Sequence, residues 1–216
     1  KNLGPAGGNI AALLFHEGKV FAGAESRGFP GTSGSGGLFV STDNGQNWLP
    51  TSGIKGGDGV NALAAFNGNL FAGTGGGVAL FTSTDGGQTW ELYADDERLS
   101  RSGLPIQDFV ESNGNLYAAT LGLGVYRISD NPFRREKVDR VGLVQNVYAL
   151  AAIGSNLFAG TDGGGVFVST DSGTNWTAVN NGLANQFIYA LAARNATVLA
   201  GANSGAFRSA DSGANW

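Results

Sequence analysis

Asp108 and Glu111, in the run Ile106-Gln107-Asp108-Phe109-Val110-Glu111, are the residues best suited to general acid–base chemistry. Glycoside hydrolysis uses such a pair, with the carboxyl groups roughly 5–10 Å apart. The spacing works against that use. The run reads as a strand, and residues three apart on a strand point to opposite faces. His16 is the one histidine, and it enters a tight turn with Glu17-Gly18, where solvent exposure is the ordinary state. The chain has no cysteine, which excludes a disulfide framework, a Cys-ligated zinc site and thiol catalysis. No G-x-S-x-G turn with triad partners and no P-loop occur. The glycine clusters Gly75-Gly76-Gly77 and Gly163-Gly164-Gly165 recur where strands turn, so they are not phosphate cradles. No metal site, no cofactor and no catalytic residue is expected.

The elements that carry these residues must be short strands. Glycine accounts for 37 of 216 residues, more than twice its usual share. At that density a helical bundle would lose about 1 kcal/mol at each glycine in a helix interior. A hydrophobic content of 42% is enough for a sizeable core. No apolar run approaches the roughly 18–20 residues of a membrane-spanning helix, so membrane insertion is not expected. A net charge of −4 and a pI near 4.9 argue against nucleic acid as a partner. The sequence starts at Lys1 with neither an initiator Met nor a signal peptide. A processed or trimmed chain is the expectation, in an extracellular or periplasmic setting with its signal removed.

The chain repeats five times, over approximately residues 8–53, 58–97, 104–142, 145–182 and 186–216. Each repeat opens with an apolar strand, starting at Ile10, Val60, Ile106, Val147 and Ile188. A short turn leads to a second strand, such as Leu70-Phe71-Ala72-Gly73 or Leu157-Phe158-Ala159-Gly160. Asn67-Gly68 and Asn113-Gly114 occupy that turn in two repeats, as a tight hairpin wants. A third strand follows, then a weaker fourth strand after a tryptophan. Starts 50, 46, 41 and 41 residues apart match the spacing of propeller blades. The expected fold is all-β: one β-propeller domain over 1–216, with about five four-stranded blades. A larger propeller cut to five blades is the rival. Trp216 leaves the last repeat without a fourth strand, which either the other terminus or residues outside this sequence would supply.

The turn between third and fourth strands recurs most closely. It reads Ser41-Thr42-Asp43-Asn44-Gly45-Gln46-Asn47-Trp48, then returns with Asp85, Gly87 and Trp90, with Asp171, Gly173 and Trp176, and with Asp211, Gly213 and Trp216. The Asp can accept hydrogen bonds from amides of its own turn. The Gly takes a positive φ, and the Trp can fold back between blades. A regular structural device explains the pattern better than a unique site. The third repeat departs from it: Ser129-Asp130-Asn131-Pro132 loses the Gly, and Arg134, Arg135, Lys137 and Arg140 form the one basic cluster.

These four turns resemble the Asp-box, or BNR repeat, S-x-D-x-G-x-x-W. The resemblance covers essentially the whole chain and implies a β-propeller. Asp-box propellers occur in sialidases, two-propeller xyloglucan hydrolases, sortilin-type receptors and a photosystem II assembly factor. The run Asn156 to Phe167 is most similar to exported bacterial Asp-box repeat proteins of unknown function. The sialidase pattern implies an arginine triad and an F/Y-R-I-P motif. Tyr126-Arg127-Ile128-Ser129 comes nearest, but it lacks the Pro and aligns with ordinary third strands. A two-propeller hydrolase is longer than this chain, and the assembly factor has seven blades.

Two insertions, Ala24 to Gly37 and Asp95 to Pro105, fall on the blade face that also carries the second-to-third turns and the links between blades. Unequal loops on a rigid scaffold are common recognition surfaces. Arg27, Phe29, Arg98, Arg101 and Leu104 are the contact candidates there. Asp108 joins them, because it and Glu111 stand where other repeats carry alanines; a polar channel or satisfied local charges are the readings of that pair. The expected function is non-catalytic binding, with a protein partner in a larger assembly favoured by the unequal loops. A carbohydrate-binding lectin is the first alternative and a glycoside hydrolase the second.

Overall fold

Each sequence repeat folds as its own antiparallel sheet. The computed structural model of the chain describes residues 9–25, 36–54, 59–75, 80–93, 105–128, 138–143 and 145–216, with 138–140 described by backbone alone. The first sheet is β1 (Ile10–His16), β2 (Lys19–Ala24), β3 (Gly37–Ser41) and β4 (Leu49–Pro50). The second is β5 (Val60–Phe66), β6 (Asn69–Thr74), β7 (Leu80–Ser83) and β8 (Glu91–Leu92). The third is β9 (Ile106–Ser112), β10 (Asn115–Thr120), β11 (Gly124–Ile128) and β12 (Val138–Arg140). The fourth is β13 (Val147–Ile153), β14 (Asn156–Thr161), β15 (Val166–Ser169) and β16 (Thr177–Ala178). The fifth has three strands, β17 (Ile188–Arg194), β18 (Thr197–Ala202) and β19 (Gly205–Ser209). Strand order follows chain order in every sheet, and no helix occurs among the described residues. The architecture is all-β, and the described residues form five sheets of the β-propeller blade type.

Turn chemistry sets the hairpins. Asn67 and Gly68 both take positive φ, at 48° and 76°, and Asn113 and Gly114 do the same at 50° and 67°. Two successive left-handed residues make the tight turn whose twist matches its flanking strands. His16 is the last residue of β1, not a turn residue, and is half-buried with Nε2 3.8 Å from Glu17 Oε1. That corrects its expected solvent exposure: the turn itself is Glu17-Gly18, and β1 extends one residue further.

The chain divides into two compact units, Lys1–Ile106 and Gln107–Trp216. In the first, Phe21 and Leu38 pack with Val60, Leu70, Phe81 and Trp90, joining the first sheet to the second. In the second, Tyr117 and Val125 pack with Leu150 and Leu157, and Phe158 and Val166 pack with Ile188 and Val198. Neighbouring sheets are thus held by interlocked apolar side chains. The recurrent Ala-Gly ending of the second strands follows from this packing. A Cβ on Gly160 would lie 2.6 Å from Ile188 Cγ2, and one on Gly23 would lie 2.6 Å from Val60 O. Only a residue without a side chain lets the first strand of the next sheet lie so close.

The first strands share a further irregularity. The pairing shifts by one residue between Ile10 and Ala12, between Val60 and Ala62, between Val147 and Ala149, and between Ile188 and Ala190. The extra residues are Ala11, Asn61, Tyr148 and Tyr189. A bulge bends the strand and re-aims its extra side chain. All four stand at the strand start, beside the second-to-third turns and the links.

Candidate functional site

The four Asp-box turns are built alike. Ser41 Oγ donates to Asp43 Oδ1 at 2.7 Å and accepts the Gly45 amide at 2.8 Å. Asp43 Oδ1 accepts the Gln46 and Asn47 amides at 3.0 and 2.8 Å, and Oδ2 accepts Asn47 Nδ2 at 2.7 Å. Ser83–Asp85, Ser169–Asp171 and Ser209–Asp211 repeat the Ser-to-Asp bond at 2.8, 2.8 and 2.7 Å. These bonds hold every box carboxyl below the usual carboxylate range. The Asn47 amide leads in pulling Asp43 down to about 2, and the Asn215 side chain leads in pulling Asp211 to about 2. Asp85 is lowered chiefly by the Thr89 side chain and Asp171 chiefly by the Asn175 amide. Gly45, Gly87, Gly173 and Gly213 all have φ between 84° and 92°.

The Asp171 carboxylate accepts the exposed backbone and side-chain amides of Asn175, whereas the buried Gly173 amide goes to Ser169 Oγ at 2.8 Å. The buried serine is therefore the inner post of the turn. The tryptophans differ too. Trp90 is 3% exposed and meets the Phe21 ring edge-on with centroids 6.3 Å apart. Trp48, Trp176 and Trp216 are half-buried. Trp176 Nε1 donates to Gly173 O at 2.7 Å, and Trp216 Nε1 donates to Val179 O at 2.6 Å. Within each unit the boxes also dock on the preceding sheet. Lys19 Nζ donates to Gly86 O at 2.8 Å, and Tyr117 Oη donates to Ser172 O at 3.4 Å.

Asp108 lies on β9 with its carboxylate turned towards the fourth sheet. Oδ1 accepts the Phe109 amide and Oδ2 accepts the Leu150 amide, both at 2.8 Å. Burial pushes its carboxyl up to about 6, against the pull of those two amides. Glu111 is exposed. The two do not form a working pair: one carboxylate is bound to backbone, and the other faces solvent. Of the readings raised by sequence, satisfied local charge describes Asp108 best. Its grouping with the loop contacts gives way to a tie between sheets.

Arg27, Phe29, Arg98, Arg101 and Leu104 lie outside the described residues, as do Arg134, Arg135 and Lys137. What the structure brings together on the link face is a group in the second unit. Tyr148 and Tyr189, the bulge residues of β13 and β17, meet edge to face with ring centroids 5.0 Å apart. Asn203 Nδ2 donates to Tyr189 Oη at 3.4 Å. Phe187, two residues before Tyr189, forms an antiparallel bridge with Asp162 in the β14–β15 turn. Asn146 Nδ2 donates to Asp162 Oδ2 at 3.3 Å, and Asn185 Nδ2 donates to Ser204 Oγ at 3.0 Å. Sequence reasoning missed this group. The available signal was the residue after each first-strand start, which is Tyr in the last two repeats and Ala11, Asn61 and Gln107 in the others. Among the described residues no cluster of three or more His, Cys, Asp or Glu is placed to hold a metal.

The family model BNR/Asp-box repeat matches residues 81–92, which take in β7 after Leu80, the second Asp-box and β8. No curated protein matches the sequence. Among solved structures, the chain is similar to the GH74 enzyme of Niastella koreensis, at TM-score 0.70 and 18% identity, over 95% of this chain and 36% of that one. It is similar to the extracellular domain of BT4673 from B. thetaiotaomicron, at TM-score 0.70 and 16% identity, over 91% of this chain and 26% of that one. It is also similar to YCF48 bound to D1 peptide, at TM-score 0.68 and 16% identity, over 97% of this chain and 67% of that one. The chain thus spans between about a quarter and two thirds of the length of these proteins. At such identities the likeness shows the fold alone. The fold is an Asp-box β-propeller.

Proposed function

We propose that this chain is a non-catalytic recognition propeller of an exported or surface-associated protein, presenting its links and second-to-third turns to an external partner. The observation that carries this reading is the division of labour among side chains. Among the described residues, the carboxylates with perturbed acidity, those of the Asp-boxes and Asp108, accept backbone amides of their own turn or of a neighbouring strand. Among the described residues, Phe187 and Tyr189 are exposed at the link face, and Phe15 is exposed at the opposite end of β1. These carboxylates hold the scaffold, and side chains at the link face are open to a partner. Among the similar folds, one is an extracellular domain and one is bound to a peptide, which is compatible with this reading.

The unequal loops around residues 25–36 and 95–105 favour a protein as one partner of this surface, with Arg27, Phe29, Arg98, Arg101 and Leu104 as contacts. The test has two arms. Purified chain is incubated with sialosides and glucans, and products are followed by chromatography; no turnover is expected, and turnover would end the non-catalytic reading. In the second arm, partners captured from the native source are titrated against a variant lacking residues 25–36 and against Arg98→Ala with Arg101→Ala. Unchanged affinity in both variants would remove those loops from the recognition surface.

A further inference from the structure

We propose that the hairpin turn Asn113-Gly114, and with it Asn67-Gly68, is a self-modification site, where the folded chain loses ammonia and converts its asparagine to aspartate and isoaspartate. The chain contains four Asn-Gly pairs, at 44–45, 67–68, 113–114 and 181–182. Glycine after asparagine leaves the backbone nitrogen open to the side-chain amide, since no Cβ blocks the approach. Sequence makes the four pairs equal. Their surroundings in the fold divide them into two classes.

The chemistry needs only water. The Gly114 nitrogen attacks Asn113 Cγ, a C–N bond forms, and the Cγ–Nδ2 bond breaks. Nδ2 leaves as ammonia and takes the proton of the Gly114 amide. The succinimide ring then adds one water. Opening at Cγ restores the main chain with aspartate at position 113. Opening at the main-chain carbonyl gives isoaspartate, with the chain running through Cγ. Net, one amide and one water become one carboxylate and one ammonium. The attacking group is the deprotonated glycine amide, so the rate rises with pH.

A pair reacts in the folded chain when its glycine nitrogen has no other task and its turn is free to rotate. Asn113-Gly114 meets both conditions. These two exposed residues alone join β9 to β10, with φ of 50° and 67°. The flanking residues of such a turn make the ladder bonds, so the Gly114 nitrogen is not a ladder donor. A Cβ on Gly114 would meet nothing within 4 Å. Asn67-Gly68 is built the same way: the pair Phe66–Asn69 closes it, and Gly68 has the same open space.

The other two pairs are held. The Gly45 amide donates to Ser41 Oγ at 2.8 Å, and its carbonyl accepts Trp48 Nε1 at 3.1 Å. Asn181 Nδ2 donates to Asn215 Oδ1 at 2.6 Å, and Asn181 O accepts the Trp216 amide at 2.9 Å. A Cβ on Gly182 would lie 2.5 Å from Trp216 O, so that turn is wedged. Asp-box residues thus shield both asparagines. At 113 the iso product adds a backbone carbon next to Ser112, whose Oγ donates to Gly154 O at 3.0 Å.

The test incubates the full chain at mildly alkaline pH, folded and in denaturant, and digests it with trypsin. The four pairs fall in separate peptides, 28–55, 56–98, 102–127 and 141–194. Mass spectrometry then reads each amide-to-acid conversion, and isoaspartyl methyltransferase labels the iso product. In the folded chain Asn113 and Asn67 should convert at least about tenfold faster than Asn44 and Asn181, the factor that two opposing hydrogen bonds impose. In denaturant the gap should close. Ser41→Ala, which releases the Gly45 amide, should bring Asn44 towards the rate of Asn113, with the fold checked by circular dichroism. The folded-against-denatured comparison needs no variant and decides the matter should Ser41→Ala fold poorly. Equal rates at all four pairs in the folded chain overturn the proposal. So does an unreactive Asn113 in a folded chain whose denatured form reacts.

Discussion

The carboxylate of Asp108 accepts the Leu150 amide at 2.8 Å and so ties the first strand of the third sheet to the first strand of the fourth. β13 has a sheet neighbour on one side only, and the Leu150 N–H points off its free edge. An edge amide in a poorly hydrated place needs an acceptor. A side chain from the adjacent sheet supplies it, at the cost of burying a carboxylate whose ionisation is resisted.

That cost has a pH signature. Asp108 is raised from 3.8 to about 6 in the folded chain, with burial as the main cause. The folded state therefore holds the proton more tightly than the unfolded chain. The group's contribution is full below about pH 4 and is lost as pH rises through about 6, by an amount on the order of 3 kcal/mol. Asp108→Asn keeps an acceptor for Leu150 and removes the titration. Urea midpoints measured from pH 4 to 8 should show this falling limb in the parent and a flatter one in the variant. Identical profiles would show that Asp108 is not desolvated.

The Asp-box carboxylates act with the opposite sign. Asp43 and Asp211 are lowered from 3.8 to about 2, so their contribution is present above about pH 4 and lost as pH falls through about 2. Asp171→Ala should lower the melting temperature at pH 7 and narrow its difference from the parent near pH 2. Scanning calorimetry at the two pH values checks both halves of the expectation.

Ser169→Ala tests the inner post of the same turn. The Gly173 amide it serves is buried, and leaving that amide without an acceptor should cost about 1–3 kcal/mol. Chemical denaturation provides the measurement. A change within error would mean that the turn relaxes to expose the amide.

Trp90→Ala and Trp176→Ala should not be equivalent. Trp90 is 3% exposed and packs on Phe21, so its truncation should cost roughly 3–5 kcal/mol. Trp176 is half-buried and should cost clearly less, despite its hydrogen bond to Gly173 O. Equal losses in urea titrations would contradict the difference in burial.

Gly160→Ala isolates the close approach of neighbouring sheets. The added methyl would meet Ile188 Cγ2 at 2.6 Å, and overpacking of this kind costs about 1–3 kcal/mol. Combining it with Ile188→Ala, which removes the colliding Cγ2, should cost less than the sum of the two single losses. A double-mutant cycle showing no coupling would place the strain elsewhere.

Strands, hairpins, repeat boundaries and Asp-box turns were legible in the amino-acid sequence because their causes are local. Asn67-Gly68 specifies a left-handed pair within two residues, and Ser169, Asp171 and Gly173 complete their bonds within five. Alternating apolar residues decide which strand face is buried without reference to any distant partner. Other features depended on what the next sheet places opposite, and only the tertiary structure decided them. Asp108 reads as an isolated acid until Leu150, 42 residues away, is set against it. Tyr148 and Tyr189 look like ordinary strand residues until two bulges on neighbouring sheets turn their rings together. The four box tryptophans share one motif, yet the surface each meets makes Trp90 a core residue and leaves the others half-buried. Local pattern fixes a side chain's face along its own strand; its partner comes from the packing of separate sheets, which no short-range signal encodes.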